Sequence, residues 1–160
     1  MAQFPQLTEE DFQQFNAVLQ DLLAQSEATF ALIVEKAGYL IHQYGEVGEV
    51  DTTQLATLAA NAFNATEFMT QIIKEPRFTG MYQQGEHHST LMINVDEHCL
   101  LVTVFPAGIS AGAVRYFAEF TTRDIAMQIQ RAHERAPGNT LDLVTLNPTD
   151  VGDLFHKKQA

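Results

Sequence analysis

The chain has 160 residues, 46% of them hydrophobic and 18% charged, which suits one domain with enough apolar material for its own core. Its formal charge of -11 comes from 20 acidic residues against 9 basic ones, and this balance argues against nucleic acid, whose phosphates demand clustered lysine and arginine. No apolar run approaches the roughly 18 residues of a membrane span, and the opening MAQFPQLTEEDF lacks the basic and apolar regions of a signal peptide. No membrane insertion and a cytoplasmic location are therefore the expectation.

Thr8, followed by Glu9, Glu10 and Asp11, reads as a helix cap with acids in the first turn, where they complement the helix dipole. Phe12, Phe15, Leu19, Leu22 and Leu23 then recur at helical spacing to about Glu27. TFALIV (29–34) and YLIHQY (39–44) predict two antiparallel strands, turned at Gly38, which tolerates the positive φ of a tight hairpin. The segment GEVGEVDTT suits a loop that ends at a helix cap, Asp51 or Thr52.

The next helix, Gln54 to Ile73, carries more apolar surface than one-sided packing requires. Leu55, Leu58, Ala59, Ala62, Phe63, Ala65, Phe68, Met69, Ile72 and Ile73 cover roughly two thirds of its circumference, whereas an ordinary surface helix needs a stripe of about 100°. One face is expected to pack on the protein's own sheet and another on a second chain. The sector Thr57, Asn61, Asn64, Ala65 and Phe68 mixes small, polar and aromatic side chains, as interfaces do, and supplies the candidate partner-binding residues.

That helix stops before Pro76. Three strands follow at short intervals, FTGMYQQ (78–84), STLMINV (89–95) and CLLVTVF (99–105), a pattern that favours an antiparallel meander. ALIV near the start and CLLVTVF are apolar at nearly every position, as strands covered on both faces are. Ser110 caps a last helix in which Val114, Phe117, Ala118, Thr121, Ile125 and Ile129 share a face, ending before Pro137 and Gly138. Beyond lie LDLVTL and an amphipathic DVGDLFHKK, too short to hold structure without a docking surface. The expected division is a domain over 1–136 and a tail over 137–160 with a possible short helix.

The order helix, two strands, helix, three strands, helix resembles the Roadblock/LC7 family. The resemblance runs from about Phe30 to Ile129 and is carried by the hairpin ALIVEKAGYLIHQ, the helix start LATLAANAFNAT, the meander GEHHSTLMINVDEHCLLVTVF and the helix opening GAVRYFAEFTTRDIAMQI. Within the family it is most similar to the MglB-like bacterial regulators of gliding and polarity, departing from them at Asn61, Phe63 and Asn64, where larger or polar residues interrupt a run of small ones.

This resemblance implies an α/β sandwich of profilin-like type: a five-stranded antiparallel sheet, order αββαβββα, with the middle helix on one face and the first and last on the other. It implies a homodimer joined through an edge strand, for which Phe78, Thr79, Gly80, Met81 and Tyr82 are the candidates. It also implies a small Ras-like GTPase, MglA-like, as partner, whose hydrolysis is stimulated without an arginine finger. Such a protein is a regulator or adaptor with no catalytic residue of its own. Arg77, Arg115, Arg123, Arg131 and Arg135 agree with that, since none sits in a glycine-rich exposed loop. The alternative is a scaffold or sensory module that binds another protein or a small ligand.

Other chemistries find little support. No GxxxxGK[ST] or GxGxxG motif is present. His87, His88 and His98 suggest a zinc site, but by strand alternation Cys99 should point away from His98 and leave the ligand set incomplete. No metal and no cofactor are expected. Cys99 lies in an apolar run and reads as a small buried hydrophobe.

Overall fold

The computed structural model describes residues 3–135. The first helix, α1 (Glu9–Ser26), begins as its sequence predicts: the Asp11 carboxylate accepts the backbone N–H of Thr8 at 2.7 Å and the Thr8 hydroxyl at 3.0 Å. Strands β1 (Phe30–Glu35) and β2 (Leu40–Gly45) form the hairpin, with Gly38 at φ 110° in the turn. Helix α2 (Thr52–Ile72) is capped by Asp51, whose side chain accepts the N–H of Gln54 at 3.0 Å. The meander follows as β3 (Gly80–Gln83), β4 (His88–Asn94) and β5 (Cys99–Pro106), and α3 (Ala111–Arg135) closes the described chain. The tail expected over 137–160, with LDLVTL and the short amphipathic piece, lies outside the described residues.

The five strands form one antiparallel sheet in the order β2-β1-β5-β4-β3. Alternation along the two central strands sends side chains into two separate cores. Ile33, Leu101 and Phe105 meet Phe15, Leu19 and Leu22 of α1 and Val114, Ala118, Ile125 and Ile129 of α3. Leu32, Val34, Leu100 and Val102 meet Ala56, Ala59, Ala60 and Phe63 of α2 on the other side. The fold is the α/β sandwich expected, with one helix on one face and two on the other.

Two local readings need correction. Strand β3 starts at Gly80, not Phe78, because the Phe78 ring is drawn beneath α2 and stacks on Phe63 with centroids 4.7 Å apart. His98 does not point away from Cys99: it belongs to the turn before β5, where its ring meets Phe4 and His133, so both residues face the α1–α3 side. Among the described residues no group of three or more His, Cys, Asp or Glu is placed to hold a metal ion. Cys99 is fully buried, and burial, with the carboxylates of Asp96 and Glu35 nearby, pushes its thiol far above the ordinary range.

Asp11 has a second task. It is completely buried, and besides Thr8 it accepts Gln128 Nε2 at 2.6 Å and an ion-paired hydrogen bond from Arg135, tying the start of α1 to the end of α3. Burial alone would raise its pKa, but the bonds from the Thr8 backbone, Arg135 and Gln128 outweigh it and hold the carboxyl at about 2. A depressed carboxylate stabilises the fold above its unfolded pKa, and this stability disappears as pH falls through the folded value. The shift from 3.8 to about 2 corresponds to about 2 kcal/mol. Asp11→Asn should therefore destabilise the protein at pH 7 and, in urea titrations between pH 5 and 2, show a shallower loss of stability than wild type; equal slopes would mean that Asp11 does not carry this acid sensitivity.

Candidate partner interface

Helix α2 combines exposure with a near absence of charge. Its 21 residues contain one ionisable side chain, Glu67, although 18% of the whole chain is charged. Ala56, Ala59, Ala60 and Phe63 face the sheet and are buried. On the outer side Leu58 is 57% exposed, Phe68 66%, Met69 63% and Ile72 81%, with Ile73 at the C-cap 74%. At 3.6 residues per turn Leu58, Asn61, Ala65, Phe68, Met69 and Ile72 form one continuous ridge, opposite the buried alanines. A lone exposed apolar side chain is ordinary, but a contiguous ridge of them marks an interaction surface.

The five sequence-predicted contact residues divide. Asn61, Ala65 and Phe68 lie on the exposed ridge. Thr57 is also exposed, but its hydroxyl donates to the Gly38 carbonyl at 2.9 Å. Asn64 is half-buried and its amide donates to the Lys36 carbonyl at 3.0 Å. These two polar side chains tether α2 to the β1–β2 turn, a function that their position in the sequence does not disclose. Leu58, Met69 and Ile72, by contrast, were counted among the apolar residues of the helix but not singled out. Their signal was the width of the apolar sector, which exceeds what the sheet can bury.

The other flank of α2 leans toward the sheet edge. The Thr66 hydroxyl approaches Met81 Sδ of β3 at 3.6 Å, and Ala62, Met69 and Ile73 share that flank by helical spacing. β3 itself is an edge strand. The Asn94 N–H bonds the Thr79 carbonyl at 2.9 Å, so in the antiparallel register Met81 and Gln83 also bond inward to β4. The peptide groups of Gly80 and Tyr82 consequently point outward with no neighbouring strand among the described residues, as sheet-extending edges do. Of the five candidate edge residues, Gly80, Met81 and Tyr82 lie in β3. Phe78 turns into the α2 core, and Thr79 precedes the strand and accepts a hydrogen bond from Arg115 at 3.1 Å. The uncharged ridge and the open edge are adjacent and form one surface.

A model of the Roadblock/LC7 domain matches residues 14–105, more than half of the chain. The chain belongs to the Roadblock/LC7 family. Among solved structures it resembles MglB of Myxococcus xanthus, with 28% identity and a TM-score of 0.73 over 79% of this chain and 96% of that one. The gliding protein MglB of Thermus thermophilus gives 23% identity and a TM-score of 0.74 over 82% and 99% of the two chains. An MglB with a tetrameric arrangement gives 24% and 0.76 over the same shares. Profilin II of Acanthamoeba castellanii shares the fold more loosely, at 14% identity and a TM-score of 0.51 over 71% and 98%. No curated protein sequence matches. In this Roadblock/LC7 domain the surface just described therefore belongs to an MglB-like fold, and among the described residues no helix is long and apolar enough to cross a membrane.

The two sides of α2 should respond differently to substitution. Phe63→Ala empties a fully buried site and is expected to cost about 3–5 kcal/mol in urea unfolding. Ala65→Arg, at an exposed position, should change stability by no more than about 0.5 kcal/mol. A large loss for Ala65→Arg would place that residue in the protein's own core.

Proposed function

We propose that this Roadblock/LC7 protein is a homodimeric adaptor that binds and regulates a small Ras-like GTPase of the MglA type, stimulating GTP hydrolysis in a bacterial polarity or motility system. The observation that carries the reading is the uncharged, apolar outer ridge of α2 beside the open edge of β3. Two copies joined along β3, through the stretch Phe78 to Tyr82, would set their α2 helices side by side. The paired ridges then offer a broad platform on which a GTPase docks through residues such as Asn61, Ala65 and Phe68, with Thr57 and Asn64 holding the platform to the β1–β2 turn. Residues 1–136 form the domain in this reading, and 137–160 a tail.

The likeness to MglB supports the choice of partner class, and the side-chain inventory supports the mode of action. Finger-type activation requires an arginine delivered into the GTPase site, and it accelerates hydrolysis by about 10³–10⁵. The four arginines of α3 lie on the sheet face opposite α2, and Arg77, in the segment entering β3, lines a pocket with two of them rather than belonging to the ridge. An adaptor of this kind acts by repositioning the GTPase's own catalytic groups, and contributes shape and apolar contact.

The test is the GTP hydrolysis rate of the Ras-like GTPase from the same organism, with and without a twofold excess of this protein. Acceleration of about a hundredfold or more, below the finger-type range, is expected, and Ala65→Arg should return the rate to its basal value. No acceleration together with no detectable complex would remove the GTPase from the account and leave a Roadblock/LC7 scaffold for another protein.

A further inference from the structure

The positive charge of this acidic chain is not evenly scattered. Three of its five arginines, Arg77, Arg115 and Arg123, line a single pocket of about 300 Å³ between the segment entering β3, the end of β4 and the first half of α3. Among the described residues the sole acidic group in its lining is Glu119, which is already paired with Arg115 at 3.5 Å. Arg115 is further fixed by its hydrogen bond to Thr79, and the Arg123 guanidinium is seated over the Phe120 ring at 5.7 Å. Among the described residues the guanidinium groups of Arg77 and Arg123 have no carboxylate within ion-pair distance. All three arginines are exposed, so on a chain of net charge -11 this pocket is a local positive patch able to take a negative group.

We propose that this pocket is a second protein-binding site, which takes an acidic segment of a partner protein with at least one apolar side chain between its carboxylates. The spacing of the arginines selects this ligand over a compact oxyanion. Arg115 and Arg123 are rooted eight residues apart on α3, about 12 Å along its axis. Guanidinium groups rooted that far apart suit carboxylates distributed along a chain better than one compact anion, and each can hold a carboxylate by two parallel N–H donors. The floor between them is apolar, supplied by Ile93 and Val95, and receives the intervening side chain. Thr79, already bonded to Arg115, adds a neutral polar group to the lining. The α3 and β4 walls of the pocket lie on the sheet face opposite α2, while Phe78 and Thr79 at its other side adjoin the proposed dimer seam; a segment held between Arg115 and Arg123 leaves the α2 ridge free and would let one copy hold two partners.

The experiment uses the full chain and a fluorescently labelled peptide of alternating glutamate and leucine, followed by anisotropy. The wild type should bind it, and the double variant Arg77→Glu/Arg123→Glu should bind at least tenfold more weakly. Lys36→Glu/Arg131→Glu changes net charge equally but lies outside the pocket, and should bind within about threefold of wild type. A peptide that does not bind the wild type, or a loss of the same size in both double variants, would overturn the proposal. Displacement of the peptide by an equal concentration of inorganic phosphate would also overturn it, since the pocket would then be a site for compact oxyanions. All these readings are made without the GTPase, so their failure is separate from failure of the hydrolysis assay.

Discussion

The two faces of the sheet are covered unequally, and most of the surface chemistry follows from that. Five strands at about 4.8 Å spacing make a sheet roughly 24 Å across, while one helix with its side chains is about 10–12 Å wide. On one face α1 and α3 lie together and bury a continuous core. On the other, α2 stands alone. Its buried residues are largely alanines, Ala56, Ala59 and Ala60, which bring the helix close to the sheet over β1 and β2. Phe63 reaches outward to Phe78, but among the described residues the flank above β3 has no helix of its own. Met81 remains half-exposed there, and Met69 and Ile73 overhang it without a partner. A second α2 laid alongside would complete the layer, which is why the proposed dimer is a packing solution as well as a functional one.

The double-sided burial of β1 and β5 also explains how the molecule keeps its outer surfaces independent. With both central strands sealed, the α2 ridge and the arginine pocket sit on opposite sides of a rigid partition. Neither contributes heavily to the core, so each can carry residues chosen for association. The burden of stability falls elsewhere, on the aromatic and aliphatic side chains between the layers and on the Asp11 network that fastens α1 to α3.

Much of this architecture can be read from the chain because local and tertiary signals agree. Thr8 and Asp51 both cap helices as their positions suggest, and the largely apolar runs ALIV and CLLVTVF are the two strands buried on both sides. The excess apolar width of α2 was legible too, and it remains as exposed surface. What stayed hidden depends on residues distant in sequence. Thr57 and Asn64 look like surface polar groups until the β1–β2 turn is placed beside them. Phe78 looks like the start of a strand until Phe63 competes for its ring. Asp11 reads as a dipole-matched surface acid, yet it is buried by Gln128 and Arg135 from the far end of the described chain. The arginine row needs both the register of the meander and the placement of α3, and no spacing in the sequence announces it.

The claim on which the rest depends is that the open edge of β3 and the ridge of α2 are covered by a second copy in solution. Hydrogen exchange at the Gly80 and Tyr82 amides measures this most directly, because among the described residues of one copy those N–H groups have no strand to bond to. Strong protection at micromolar protein that is lost on dilution is the expected result. Exchange at the rate of an unstructured peptide at every concentration would contradict it, and would leave β3 a free edge and α2 a ridge without its second helix.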